Sequence, residues 1–174
     1  MHAAGSVFGA SFICMTQTLA FCHELAQRLR HQGWMLATAE SCTGGLIAAA
    51  CTDLAGSSEW FERGFVSYSN AAKSDLLGVS AALIRSHGAV SEPVVRAMAL
   101  GAVARSKAQV SIAVTGVAGP GGGSIDKPVG TVWFGWVIQD QLISECQHFD
   151  GDRAQVRTAT VQYALNRLLT LMPA

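Results

Sequence analysis

The run Val110-Ser111-Ile112-Ala113-Val114 places the tightest constraint on the fold. Its β-branched residues favour a strand, and five consecutive apolar or small residues need cover on both faces. The strand they predict is therefore central, in a sheet sandwiched between helices. It empties into Thr115-Gly116-Val117-Ala118-Gly119-Pro120-Gly121-Gly122-Gly123-Ser124, the most glycine-rich stretch of the chain.

The flanking segments repeat this alternation. Leu19, Cys22, Ala26 and Leu29 recur at helical spacing, and Gly33 stands where a C-terminal cap belongs. A strand is predicted over residues 34–39 and a helix over 43–53, followed by a short strand at 64–68. Helices over 71–77, ended by Gly78, and over 81–86 come next. Ser91 is a candidate N-cap, with Pro93 in the first turn and Val95, Met98, Ala99, Ala102 and Val103 on one face. Strands at 130–138 and 142–149 flank the turn Gln139-Asp140-Gln141 and must be antiparallel. A last helix from about Asp152 turns Val161, Leu165, Leu168, Leu169 and Met172 toward the core. The expected class is α/β: a three-layer α/β/α sandwich with a mixed, mostly parallel sheet.

Residues 16–174 suit one domain. Residues 1–15 are mildly apolar, rich in small residues and without the Lys or Arg of a signal peptide, and read as a disordered extension. Half the chain is apolar and 14% is charged, which argues against disorder elsewhere. Twelve basic and twelve acidic residues cancel without a block of either sign, so no nucleic-acid partner is expected. No apolar stretch reaches the about 18 residues of a membrane span. Cys14, Cys22, Cys42, Cys51 and Cys146 form no C-x-x-C pair and suggest free thiols in a reducing cytoplasm. The five histidines are scattered too, so neither a metal nor another cofactor is expected.

In open α/β sheets ligands sit outside the carboxyl ends of strands. Three polar strand exits, 40–45, 68–73 and 115–124, are expected to converge on one cleft. The first, Glu40-Ser41-Cys42-Thr43-Gly44-Gly45, reads as a turn between strand and helix. Unpartnered N–H groups at a helix start can receive an anion or a developing oxyanion, and Gly44 and Gly45 let a ligand approach the backbone. Ser41 and Cys42 are the candidate nucleophiles; the competing reading is a plain N-cap. Neighbouring side chains in an extended segment point opposite ways, and a small thiol is commonly buried, so Ser41 is preferred over Cys42.

A serine needs a base. No histidine follows a strand as a triad member would, which leaves the three lysines. Lys107 closes a helix and Lys127 lies near the glycine loop. Lys73 falls on the first turn of a helix after Tyr68-Ser69-Asn70. The helix dipole disfavours a cation there, and a desolvated amine can take a hydroxyl proton. A solvated helix lysine is the alternative. The glycine loop can hold phosphate or ribose through its N–H groups, although it matches neither a Walker loop nor a dinucleotide fingerprint. Arg153, with Arg157 one turn later, could clasp a phosphate or form a helix-start salt bridge.

The ordered motifs go further. Ala-Glu-Ser-Cys-Thr-Gly-Gly (39–45), Tyr-Ser-Asn-x-x-Lys-x-x-Leu-Leu-Gly-Val (68–79) and Gly-Ala-Val-Ser (88–91) come first. Val-Thr-Gly-x-Ala-Gly-Pro-x-Gly-Gly (114–123), Lys-Pro-Val-Gly-Thr-Val (127–132) and Phe-x-Gly-Asp-Arg (149–153) follow. This set resembles the CinA C-terminal domain family over residues 16–172. Stand-alone enzymatic members of that family are nicotinamide-nucleotide amidases. They hydrolyse the carboxamide of nicotinamide mononucleotide to the acid and ammonia in pyridine-nucleotide recycling.

The resemblance implies a nucleophile at Ser41, a lysine base at Lys73, and roles for Tyr68, Thr115 and Arg153. The expected substrate-binding set is Cys42, Thr43, Gly44, Gly45, Thr115, Gly116, Gly119, Gly121, Gly122 and Arg153. It further implies a small nucleotide substrate, no membrane partner, and a homodimer or larger assembly. Larger members add an N-terminal pyrophosphatase domain that has no counterpart here. The competing reading is a non-catalytic nucleotide-binding or interaction domain of the competence- and damage-inducible type.

Overall fold

The computed structural model describes residues 5–173, with side chains from residue 16. Helix α1 (Gly5–Gln32) leads into strand β1 (Leu36–Glu40), then α2 (Leu46–Thr52), a 3-10 turn (Ser57–Glu59) and β2 (Phe61–Val66). Helices α3 (Asn70–Leu77), α4 (Ala81–His87) and α5 (Glu92–Ala104) follow. The chain ends with β3 (Val110–Gly116), β4 (Thr131–Ile138), β5 (Gln141–His148) and α6 (Arg153–Leu171).

Two segments differ from the sequence expectation. α1 extends back to Gly5, so a helix occupies residues 5–15 where a disordered extension was expected. No proline interrupts that run; residues 1–4 of the expected extension lie outside the described residues. The second strand begins earlier than 64, because Phe61 and Arg63 pair with Leu36 and Ala37. β2 ends at Val66; Ser67 adds one last bond to the ladder, its N–H donating to the Glu40 carbonyl, and Tyr68 starts the path to the next helix.

The sheet order is β2-β1-β3-β4-β5. β1 pairs in parallel with both β2 and β3, while β4 runs antiparallel to β3 and β5. β4 alone therefore opposes the other four strands. Leu36, Val110, Ile112, Val114, Phe134 and Trp136 face one core under α1, α2 and α6. Ala37, Ala39, Ala113 and Val137 face the other, under α3, α4 and α5. This is the expected α/β/α sandwich, and its period-two alternation sets which side chains meet which helices.

The two faces differ in residue size. Large side chains fill the first face, whereas alanine and glycine line the second and let α5 lie close. A Cβ on Gly135 would come within 2.9 Å of the Val95 carbonyl, and one on Gly101 would overlap the Leu77 carbonyl oxygen. α5 is thus pressed onto the sheet and onto α3 together. On the opposite face, Phe134 stacks on Trp136 with centroids 5.6 Å apart and lies 4.9 Å from Tyr163. Trp136 Nε1 also donates to the Ala164 carbonyl, which anchors α6. Among the described residues no helix is long and apolar enough to cross a membrane.

Candidate active site

From β1 the chain winds outward to β2, then returns to place β3 on the other side of β1. The connections diverge at β1 and β3, where open parallel sheets form their ligand crevice. The cleft at this position is lined by Ser41, Cys42, Tyr68, Lys73, Thr115 and Arg153, and by Ala89 and Val90 from the loop before α5. The three polar strand exits do converge.

Ser41 extends the β1 ladder by one bond, its N–H donating to the Val114 carbonyl. Lys73 is placed by α3. Ser69 caps that helix, its hydroxyl accepting the Ala72 N–H, and Gly78 ends it in a left-handed conformation with φ 69°. A long helical side chain leans toward the N-terminus. Lys73 therefore reaches back to the residues that precede its own helix. Its Nζ donates to the Ser67 carbonyl at 2.8 Å and the Tyr68 carbonyl at 3.2 Å, and lies 3.0 Å from Ser41 Oγ.

Lys73 is 1% exposed, and no carboxylate is bonded to its amine. Burial pushes the amine below the ordinary lysine range. A neutral amine has two N–H bonds and one lone pair. With the two carbonyls accepting both N–H groups, the lone pair is left for the Ser41 hydroxyl proton.

Cys42 also borders the cleft. The Cys42 thiol is 5% exposed and packs into the core beneath α2. Burial pushes its pKa up to about 12, so it stays protonated near neutrality and is a poor nucleophile.

The start of α2 is not open to a ligand in the way the sequence suggested. Glu40, 1% exposed, turns its carboxylate onto it. Oε2 accepts the Thr43 hydroxyl at 2.7 Å and the Gly45 and Ile47 N–H groups at 3.0 Å each, and Oε1 accepts Ala48 N–H at 2.8 Å. Gly44 N–H donates to the Ser41 carbonyl. Of the turn residues expected to bind substrate, Gly44 and Gly45 thus have their N–H groups engaged internally.

At the mouth, Tyr68 is 57% exposed. Its hydroxyl accepts from Arg153 at 3.0 Å, and Arg153 also donates to the Gly119 carbonyl at 2.9 Å. The start of the glycine loop thus braces the guanidinium. Thr115, at the end of β3, donates its hydroxyl to the Ala89 carbonyl, and Gly116 lies beside it in the cleft wall. Gly121 and Gly122 are exposed further along the loop and do not line the cleft. Sequence reasoning did not single out Ser67 or the contact of Arg157 with the Thr43 carbonyl. Neither carries a sequence signal, since one acts through its backbone and the other acts on a backbone. Glu40 had one: a carboxylate at the end of a buried strand needs several donors. Among the described residues no cluster of His, Cys, Asp and Glu could hold a metal ion.

The sheet order and the buried serine–lysine contact define an α/β/α domain with a cleft suited to acyl chemistry. The chain belongs to the CinA C-terminal domain family, whose profile matches residues 19–172. It is 53% identical over 147 residues to the nicotinamide-nucleotide amidohydrolase PncC of Enterobacter agglomerans, covering 84% of this chain and 90% of that one. It is 47% identical to the protein of the same name from Escherichia coli K12, covering 88% and 93%. The crystal structure of the competence/damage-inducible protein CihA from Agrobacterium tumefaciens superposes with a TM-score of 0.86 at 43% identity, covering 89% and 95%.

Proposed function

We propose that this protein is a nicotinamide-nucleotide amidohydrolase that converts nicotinamide mononucleotide and water to nicotinic acid mononucleotide and ammonia. The names and coverage of its relatives support the substrate class. The observation that carries the chemistry is the desolvated Lys73 amine 3.0 Å from Ser41 Oγ. Neutral Lys73 takes the Ser41 proton as Oγ attacks the carboxamide carbon. The oxyanion faces the Cys42 N–H, and one well-aimed donor of this kind lowers the barrier by about 3–4 kcal/mol. Lys73 then passes its proton to the leaving nitrogen, and ammonia departs with cleavage of the C–N bond. Water, deprotonated by the same amine, splits the acyl ester and restores the Ser41 hydroxyl.

Arg153 and the start of the glycine loop hold the 5′-phosphate, and Thr115 and Gly116 flank the ribose. Binding energy from these remote groups places the amide over Ser41. A non-catalytic nucleotide-binding domain would have no use for a buried amine against a serine. The test is ammonia release from nicotinamide mononucleotide by the purified protein, with Ser41→Ala as control. No ammonia above that control refutes the reading.

A further inference from the structure

We propose that Glu40 and Arg157 are positioning residues that hold the Ser41 turn from its two sides, a proposal that rests on Ser41 being the nucleophile. Ser41 and the Cys42 N–H can work together only if the turn between β1 and α2 keeps one shape. Its own sequence does not ensure that. Gly44 and Gly45 both adopt left-handed conformations, with φ of 62° and 101°, and glycine is the residue least committed to any single backbone state. Within the turn, Gly44 N–H bonds the Ser41 carbonyl.

The Leu46 N–H also reaches the Thr43 carbonyl, at 3.4 Å, and further restraint comes from outside. Glu40 grips the hydroxyl of Thr43 and the N–H groups of Gly45, Ile47 and Ala48 with its two carboxylate oxygens. An ordinary helix start is capped by an exposed Ser or Asp at its edge. Here the cap is a buried carboxylate reaching from the end of the neighbouring strand, tolerable only because donors satisfy it. It ties β1, which carries Ser41, rigidly to the first turn of α2. On the far side, Arg157 donates from Nη2 to the Thr43 carbonyl at 2.9 Å. That fixes the orientation of the Thr43–Gly44 peptide. Arg157 stands on α6, which the aromatic cluster holds against the sheet, so it is a firm post.

Glutamine cannot replace Glu40. An amide offers one acceptor oxygen where four donors converge, and its NH₂ group would meet at least one of them head-on. Arg157→Met keeps the stem and removes the bond to Thr43.

The test measures ammonia release from nicotinamide mononucleotide, and in parallel the rate at which a fluorophosphonate labels Ser41 by intact mass. Folding is checked by circular dichroism and thermal melting. Glu40→Gln and Arg157→Met should each lose roughly 10–100-fold in kcat with little change in KM, the penalty of a reactive group misplaced by about 1 Å. Labelling should slow in step. Should Glu40→Gln fail to fold, Thr43→Val, which deletes one of the four bonds, decides with the same split. Folded variants that keep wild-type kcat and labelling overturn the proposal. A loss confined to KM also overturns it and makes Arg157 a substrate-binding group. Labelling of the wild type without ammonia release would refute the substrate reading alone, leaving the labelling rates to judge the clamp. Absence of both overturns the nucleophile and the clamp together.

Discussion

Lys73 Nζ and Ser41 Oγ lie 3.0 Å apart, although 32 residues separate them in the chain, and a single residue between them, Ser67, explains why. The Ser67 N–H donates to the Glu40 carbonyl at 2.9 Å, carrying the β1–β2 ladder past the end of β2. The carbonyl of the same Ser67 accepts from Lys73 at 2.8 Å. Ser41 and Lys73 are thus referenced to one rigid edge of the sheet.

Ser41→Ala should abolish turnover, with a loss of roughly a thousandfold or more, as when a nucleophile acting in concert with its base is removed. Cys42→Ala should retain the chemistry, because a thiol held near pKa 12 is protonated at neutral pH. Alkylation with iodoacetamide, followed by peptide mass mapping, should modify the exposed Cys146 and spare Cys42. Wild-type activity in Ser41→Ala would move the nucleophile elsewhere.

The pH profile should report Lys73. In the proposed mechanism the amine works when neutral, and burial has lowered its pKa. kcat/KM should therefore rise with pH and level off below the ordinary lysine pKa of about 10.4, with a tenfold fall for each unit on the acid side. Lys73→Arg should be inactive across the range, since a guanidinium does not deprotonate. A profile flat from pH 6 to 10 would remove Lys73 from the proton transfer.

Arg153→Ala should raise KM by roughly 10–100-fold, the effect of losing a charge-assisted contact worth about 1.5–3 kcal/mol. The loss should vanish with the corresponding riboside, which has no phosphate. Tyr68→Phe should show a smaller KM effect, because it removes the hydroxyl that braces Arg153. Equal losses on nucleotide and nucleoside would place the phosphate elsewhere.

Gly101→Ala should lower both stability and activity. The added methyl overlaps the Leu77 carbonyl on α3, and overpacking of this kind costs about 1–3 kcal/mol. For a domain of this size each kcal/mol moves Tm by roughly 2–4 °C. Because α3 carries Lys73, kcat measured well below Tm should fall as well. Calorimetry and steady-state kinetics on one preparation would test both. An unchanged Tm would show that α5 and α3 are less tightly coupled than their packing indicates.

The resemblance to the CinA C-terminal domain family marked Thr115, whereas the sequence by itself determined the order of strands and helices, the class of sandwich, and Ser41, Lys73 and Arg153 as residues to watch. Those are matters of local pattern: periodicity of apolar residues, glycine at helix ends, and a short roll of possible bases. The tertiary structure decided the strand order and brought three exits together at one crevice. It also desolvated Lys73 and closed the α2 N-terminus with Glu40. Each of these depends on backbone groups from distant segments meeting, as the Ser67 carbonyl meets Lys73 and the Thr43 carbonyl meets Arg157. Every residue but proline carries the same backbone N–H and C=O, so the sequence cannot mark which of them will be used.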